Sequence, residues 1–448
     1  MNTLLLEPTD TLFFRDGRPM SGSLSGHGAA WPLPTVTSAA LHAALHRADF
    51  EGVHKHAPGR SSARRDYSQE NRDKNGRLFG SLTTAGPFPV NSDGQWFFPR
   101  PADAQKEGST LVTLLPMARN GACSLPHDWL HPVGNLQPPT KDKPELWISQ
   151  DAFQHYLNQT DAPAGHFLQD CAFTDTEHTI GIAIDPATGT TGQGEAEGKI
   201  YSAHSLRLRE GWRMGLLAAA WDKDLQCDLV LQMLNGHGRK IIVGGQQRLC
   251  TTTVKTHSNG VLLPTGPIIT GNRVKWVLLS PAIFPAIHAD AQKGIQAHPG
   301  GWLPNWISPD TGAVLLKAGD TTRREGESRE AWRQRVRSAP AISAKLTAAL
   351  VGKPTPVTGY ALPNSADPDR PEGGAKSTHL AVPAGSVYYF EAESPESAQK
   401  LAAALNWHGS DPQPGDIRNR RSTLFGEKGF GLGVCGAWNF HSTNLHTA

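Results

Sequence analysis

The apolar residues of this chain come in short runs of strand or single-helix length, and the runs follow a related order twice. Thr3 to Leu6 is closed by Pro8 and predicts a buried strand almost at the start of the sequence. Thr35 to His46 then sets Ala and Leu at helical spacing behind hydroxyl residues suited to capping. Trp96 to Phe98 predicts a further strand. Ile180, Ile182 and Ile184 alternate with other residues as in a half-buried strand, whose return strand includes Ile200 and Tyr201. Trp212 to Trp221 is a second apolar run, and Asp228 to Leu234 predicts a short helix. Lys240 to Val243 predicts a strand that runs into Gly244-Gly245 and on through Arg248 to Val254. Strand, helix, strand is half of a ferredoxin-like βαββαβ unit, and the first strand and helix supply the other half. Beyond residue 260 comes strand Val274 to Leu279, strand Val387 to Phe390, helix Pro395 to Leu405 and a glycine-rich strand near Phe430 to Cys435. The expectation is an α+β chain of two ferredoxin-like domains, 1–260 and 261–448, with long loop insertions.

Glycine (46) and proline (34) in 448 residues explain where such insertions come from, because both favour turns and loops. Residues 51–77 carry Lys and Arg among acids with few apolar residues and predict a solvated loop. Residues 101–170 are proline-rich and lack a sustained period, so an irregular insertion is expected there, with a short helix near Ser149 to Tyr156. A formal net charge of +2 provides no global basic field, so any nucleic-acid surface has to be local. Five cysteines, an odd number with no CxxC pair, argue against a disulfide framework and a thiolate zinc site and fit a reducing cytoplasm. No apolar run approaches the ~18 residues of a membrane span, and Leu4 to Leu6 is too short for a secretory segment.

Several constellations have chemistry to offer. Arg15 and Arg18 sit beside Phe13 and Phe14 on the loop after the first strand, an arrangement suited to clamping phosphates next to a stacking face. An ion pair of Arg15 with Asp16 or Asp10 is the structural alternative. Gly244 and Gly245 follow a β-branched strand and would let a ligand approach the backbone, with Arg248 ready for a phosphate. Gly429, Gly431 and Gly433 follow Lys428; the run lacks the strand-before, helix-after context of a dinucleotide fingerprint, and a plain turn with a bulge is the alternative. His42 and His46 lie four apart on the first helix without a third ligand nearby or an HExxH motif. No metal or cofactor is expected, and a metal-free RNA cleavage using His42 stands as a rival reading. The polar loop at 185–198 fits a thumb laid across a nucleic-acid strand, or an ordinary long hairpin. The arginine-rich segment 321–337 reads as solvated, with RNA or partner contact as the sharper alternative.

The stretch Leu6 to Met20, with its Pro-x-Asp-x-Leu-Phe-Phe-Arg-Asp-Gly-Arg-Pro core, resembles the opening of the family of third subunits of the Cmr module. These are members of the RAMP superfamily in type III-B CRISPR effector complexes. The Gly181 to Asp185 segment running on to Tyr201, the Gly244-Gly245-x-x-Arg248 segment, and Ala384 to Phe390 followed by Gly429 to Gly433 match in the same order. The resemblance implies a pair of ferredoxin-like, RRM-like domains in a non-catalytic subunit. Such a subunit binds the 5′ tag of crRNA, caps the foot of a filament of backbone RAMP subunits, contacts a large polymerase-like subunit and meets target RNA indirectly. It further implies tag-contact or fold-critical roles for Arg15, Arg18, Gly244, Gly245, Arg248, Lys428, Gly429, Gly431 and Gly433. Relatives commonly have a basic residue where this chain has Glu177-His178, which makes His178 a substitute phosphate contact. The equivalent subunit of a type III-A or III-D complex is the nearest alternative.

Overall fold

A computed structural model describes residues 1–15, 25–26, 31–48, 82–107, 110–119, 123–134, 144–160, 166–182, 184–185, 187–191, 200–222, 226–234, 239–255, 263–319, 324, 326–361, 372–411 and 415–441. In chain order the first half contains β1 (Asn2–Pro8), α1 (Pro34–Arg47), β2 (Leu82–Val90), β3 (Phe97–Pro99), β4 (Trp147–Ser149), α2 (Gln150–Asn158), β5 (Thr174–Ile182), β6 (Ile200–Leu208), β7 (Arg213–Asp222), α3 (Leu229–Leu234), β8 (Arg239–Ile242) and β9 (Leu249–Lys255). The second contains β10 (Arg273–Leu278), α4 (Arg329–Ser338), β11 (Ala344–Leu350), β12 (Val387–Ala392), α5 (Pro395–Leu405) and β13 (Gly433–Ala437). The expected loop at 51–77 lies outside the described residues.

The first sheet is antiparallel in the order β2-β7-β1-β9-β8, so its first and last long strands, β1 and β9, lie side by side. Leu4 and Leu6 of β1 and Met214, Leu216 and Ala218 of β7 point to one face, where α1 and α3 cover them with Leu41, Leu45, Val230 and Met233. That is the period-2 alternation of a strand meeting the spaced apolar stripe of a helix. α1 starts differently from the expected hydroxyl cap. Leu33 is its N-cap and makes no side-chain cap bond, Pro34 supplies the preset first turn, and Thr37 Oγ1 donates to the Pro34 carbonyl at 3.2 Å.

The second sheet runs β11-β12-β10-β13, again antiparallel with its first and last strands adjacent. α5 starts where the Ser394 side chain accepts the Ser397 N–H at 3.2 Å and packs Leu401 and Leu405 on the sheet. Between β10 and β11, where a ferredoxin-like unit has its first helix, irregular chain delivers Phe284, Leu303, Ile307 and Val314 to the same core. The helix in that connection, α4, buries none of its residues.

The opposite faces of the two sheets share one core. Leu5, Ala85 and Leu217 from the first sheet join Val277, Val387, Tyr389 and Val434 from the second, with α2 contributing Phe153, Tyr156 and Leu157. Within the expected irregular insertion at 101–170, Ala104, Ile148 and α2 thus contribute to that shared core. The helix forms at the predicted place, with Ser149 accepting the Ala152 N–H at 3.2 Å, and its apolar face fills the space between the sheets. Among the described residues no helix is long and apolar enough to cross a membrane, which leaves open spans made of strands.

The isoleucine strand forms, but its half-burial does not. β5 and β6 pair antiparallel over nine positions as a ribbon with a single short parallel neighbour, and Ile180, Ile182, Ile184 and Ile200 are 74%, 56%, 62% and 55% exposed. Alternation with other residues reports a shared face, and among the described residues no packing partner covers that face.

Candidate nucleic-acid interface

Three segments converge where β1, β8 and the base of the ribbon end. The loop after β1 is tied to β6 by a reciprocal pair of backbone hydrogen bonds between Leu12 and Leu206, both 2.7 Å. It is tied to the β8–β9 turn by the Gly245 N–H donating to the Phe13 carbonyl at 2.9 Å. The convergence explains the two glycines. A Cβ on Gly244, which has φ +79°, would stand 2.6 Å from the Phe13 carbonyl oxygen, and one on Gly245 would stand 2.8 Å from the Phe13 ring. On the Cβ side, the close approach these glycines allow is by the chain's own Phe13 and Phe14, while both glycines are otherwise exposed.

Around that contact lies an alternating field of charge. Asp10 pairs with Arg207 at 3.0 Å and with Arg248 at 3.1 Å. Arg207 also bonds Glu177, Arg209 pairs with Asp175 at 2.8 Å, and Arg213 pairs with Glu7 at 2.9 Å. The Thr11 backbone N–H, then the Arg207 guanidinium, hold the Asp10 carboxyl below its ordinary range, so it stays ionised at neutral pH. Arg15 is exposed and unpaired among the described residues, so neither Asp10 nor any other described acid holds it. Four guanidiniums, Arg207, Arg209, Arg213 and Arg248, thus face the four carboxylates just named. The net field is small, and exposed pairs of this kind are exchangeable because solvent and salt weaken them.

Arg248 is held from its own turn as well as by Asp10. Its Nη2 donates to Gln246 Oε1 at 3.2 Å, and its Nε is buried without a partner. Gln246 and Gln247 form the tip of the turn in the left-handed region at φ 57° and 53°, which disfavours non-glycine residues, and both are exposed. On the ribbon, His178 and His204 occupy one register pair with ring centroids 4.2 Å apart, on the face opposite Glu177 and Arg207. Ordered amide, guanidinium and imidazole groups on exposed surfaces suit contact with the phosphates, sugars and base edges of a splayed single strand.

The family described as CRISPR-associated protein (Cas_Cmr3) matches residues 4–438. The chain belongs to that family. No curated protein matches it. Among solved structures, a chain of the type III-B Cmr-beta complex bound to cognate target RNA is similar at 14% identity, with 86% of each chain covered and a TM-score of 0.40. A chain of the Csm3-Csm4 subcomplex of the type III-A CRISPR-Cas interference complex is similar at 10% identity, covering 88% of this chain and 93% of that one, with a TM-score of 0.37.

In this Cas_Cmr3 protein the second glycine cluster lies apart from the Arg248 surface. Gly429, Gly431 and Gly433 are all buried. A Cβ on Gly429 would meet the Thr84 carbonyl of β2 at 2.9 Å, one on Gly431 the Ser422 backbone, and one on Gly433 the Trp276 indole. These glycines join the strap before β13 to both sheets, and the space a ligand would need is filled by protein. Lys428 stands 4.8 Å from the Phe425 ring centroid. Arg18 lies outside the described residues, as does 192–198 of the expected thumb. The near side of that hairpin folds back on itself, with Asp185 Oδ1 accepting the Ala187 N–H at 2.8 Å and Ile184 bridging Thr191. His42 is exposed on α1, and among the described residues no three His, Cys, Asp or Glu side chains are grouped to hold a metal. Sequence reasoning missed Arg207 and the Gln246-Gln247 tip. The positive φ of two glutamines leaves no trace in composition, and the partnership of Asp10 with Arg207 spans 197 positions.

Proposed function

We propose that the chain is a non-catalytic RNA-binding subunit of a type III-B CRISPR effector complex, built from two ferredoxin-like units. It binds the 5′ tag of crRNA, caps the foot of the backbone filament and contacts the large polymerase-like subunit. The observation that carries the reading is the joining of the loop after β1, the Gln246-Gln247-Arg248 turn and the ribbon through Asp10, which pairs with both Arg207 and Arg248. Tag phosphates there exchange with Asp10 for the guanidiniums of Arg207 and Arg248, and the turn amides meet base edges. The ribbon acts as the thumb. Its exposed isoleucines offer an apolar face to a base displaced from the guide.

The test uses the assembled complex carrying guide RNA. Arg248→Ala is expected to weaken retention of the 5′ tag by about tenfold to a hundredfold, the range for a charge-assisted contact of roughly 1.5–3 kcal/mol. Unchanged retention in Arg15→Ala, Arg248→Ala and their double variant would remove both residues from the tag site.

A further inference from the structure

A second basic surface lies outside the Arg248 cluster, on residues that the proposed tag site does not use. The chain at 315–319, the last turns of α5 and the segments 408–411 and 418–421 line an open cleft of ≈ 740 Å³, with Val336 of α4 on its wall. Four cations, Lys317, Lys400, Arg418 and Arg421, and one carboxylate, Asp411, line it. Arg421 has a structural task, since its Nε donates to the Ala404 carbonyl at 2.7 Å and so satisfies an orphan carbonyl at the C-terminus of α5. Lys317 and Arg418 form no ion pair among the described residues, and Lys400 has only the attraction of Glu396 one turn earlier on its helix.

A buried donor in the lining also lacks an acceptor. His408 is 5% exposed, and its Nε2 accepts the Gly266 N–H at 3.2 Å, which places the ring proton of the neutral imidazole on Nδ1. Nδ1 has no partner in hydrogen-bonding geometry, although the Asp411 backbone is close enough to oppose in part the effect of burial. Burial itself pushes the ring toward the neutral form. The lining therefore includes a buried imidazole nitrogen without a hydrogen-bond partner among the described residues.

The neighbouring helix extends the same charge. Arg329, Arg333 and Arg337 recur every fourth residue along α4, all exposed and without an ion pair among the described residues, whereas Arg335 is tied to Glu327 at 2.8 Å. Like charges at this spacing destabilise a helix, and α4 buries no residue that would compensate. Successive arginines rise by about 6 Å along the axis, the order of the separation between neighbouring phosphates of a nucleic-acid strand. An acidic protein would supply charge without that regular spacing.

We propose that the cleft and the arginine stripe of α4 form a second nucleic-acid seat, which holds the phosphodiester backbone of a single strand by charge and without reading its sequence. This does not depend on tag binding at Arg248.

The test measures binding of the full chain to short untagged single strands of mixed sequence, as RNA and as DNA, across a salt series, with poly-glutamate as a competitor. Lys317→Gln, Lys400→Gln and Arg418→Gln combined are expected to make the slope of log K against log salt shallower by about 2 for both strands, three contacts at roughly 0.7 each. Between ~50 and ~200 mM salt the wild type then loses roughly 20-fold more affinity than the variant. These substitutions lie on an open surface, and an unchanged circular dichroism spectrum establishes that the variant is folded. An unchanged slope, no binding of untagged strands by the intact chain, or a loss confined to one sugar type overturns the proposal. Equal displacement of RNA by poly-glutamate overturns it in favour of an acidic protein partner. Arg248→Ala in parallel separates the two sites, because its effect on the tag persists whether or not this second seat exists.

Discussion

Lys275 stands in the middle of β10 with 2% of its side chain exposed, between Val274 and Trp276. Its ammonium lies 3.6 Å from Asp103 Oδ2 and 3.6 Å from the centroid of the Tyr156 ring, while the Tyr156 and Tyr389 hydroxyls donate to the two Asp103 oxygens at 2.6 and 2.8 Å. The carboxylate is thus satisfied from three sides, as burial of a charge requires. Asp103→Asn leaves the lysine buried without its counter-charge and is expected to destabilise the chain by about 3–5 kcal/mol. Asp103→Asn combined with Lys275→Met removes the stranded charge and is expected to recover most of that loss in a denaturant titration; a double variant as unstable as the single one would contradict the pairing. Burial holds Lys275 below its ordinary 10.5, with Asp103 opposing the shift. The folded form therefore binds fewer protons than the unfolded chain in the window below 10.5, and the burial penalty on this residue is relieved as pH rises through it. In the sequence Lys275 reads as one polar residue inside an apolar strand, and nothing near it in the chain announces a partner 172 positions earlier.

Among the elements, the strands with clean alternation were legible, and the departures have physical causes. β1, β7, β10 and β12 alternate between two buried faces, so each carries an apolar run that stands out. β2 contains Pro87 and Pro89, and among the described residues β7 is its one partner in the sheet, an edge position that tolerates a missing N–H. In the ribbon, alternation at Ile180 to Ile184 suggested burial where there is none. In the glycine strap, spacing was visible but purpose was not, because a glycine packed against backbone and a glycine opened to a ligand look alike in sequence. Gly429 has φ +92° and Gly431 has φ +74°, with protein in the space a Cβ would need. Gly431→Ala is expected to lower stability by more than about 1 kcal/mol while leaving the RNA affinity of the folded fraction unchanged. An affinity loss in a fully stable Gly431→Ala variant would return this strap to the ligand site.

At the scale of the whole molecule, the twofold element order predicted two units, and two antiparallel sheets with adjacent first and last strands are present. Their shared core was not legible, because it depends on residues 101–170, whose prolines and irregular period mask a wedge that joins the sheets. The two proposed seats, the Arg248 turn with the ribbon and the basic cleft beside α4, both lie outside that shared core. The central claim is that the tag meets the loop after β1, the β8–β9 turn and the ribbon base, with the buried glycine strap acting only as scaffold. Photocrosslinking of a guide whose tag nucleotides each carry a reactive base, followed by mass spectrometry of the assembled complex, tests it most directly. Crosslinks are expected within 9–15, 176–180, 202–209 and 244–248. Crosslinks from the tag confined to 426–433, or absent from this chain while other subunits react, would contradict it.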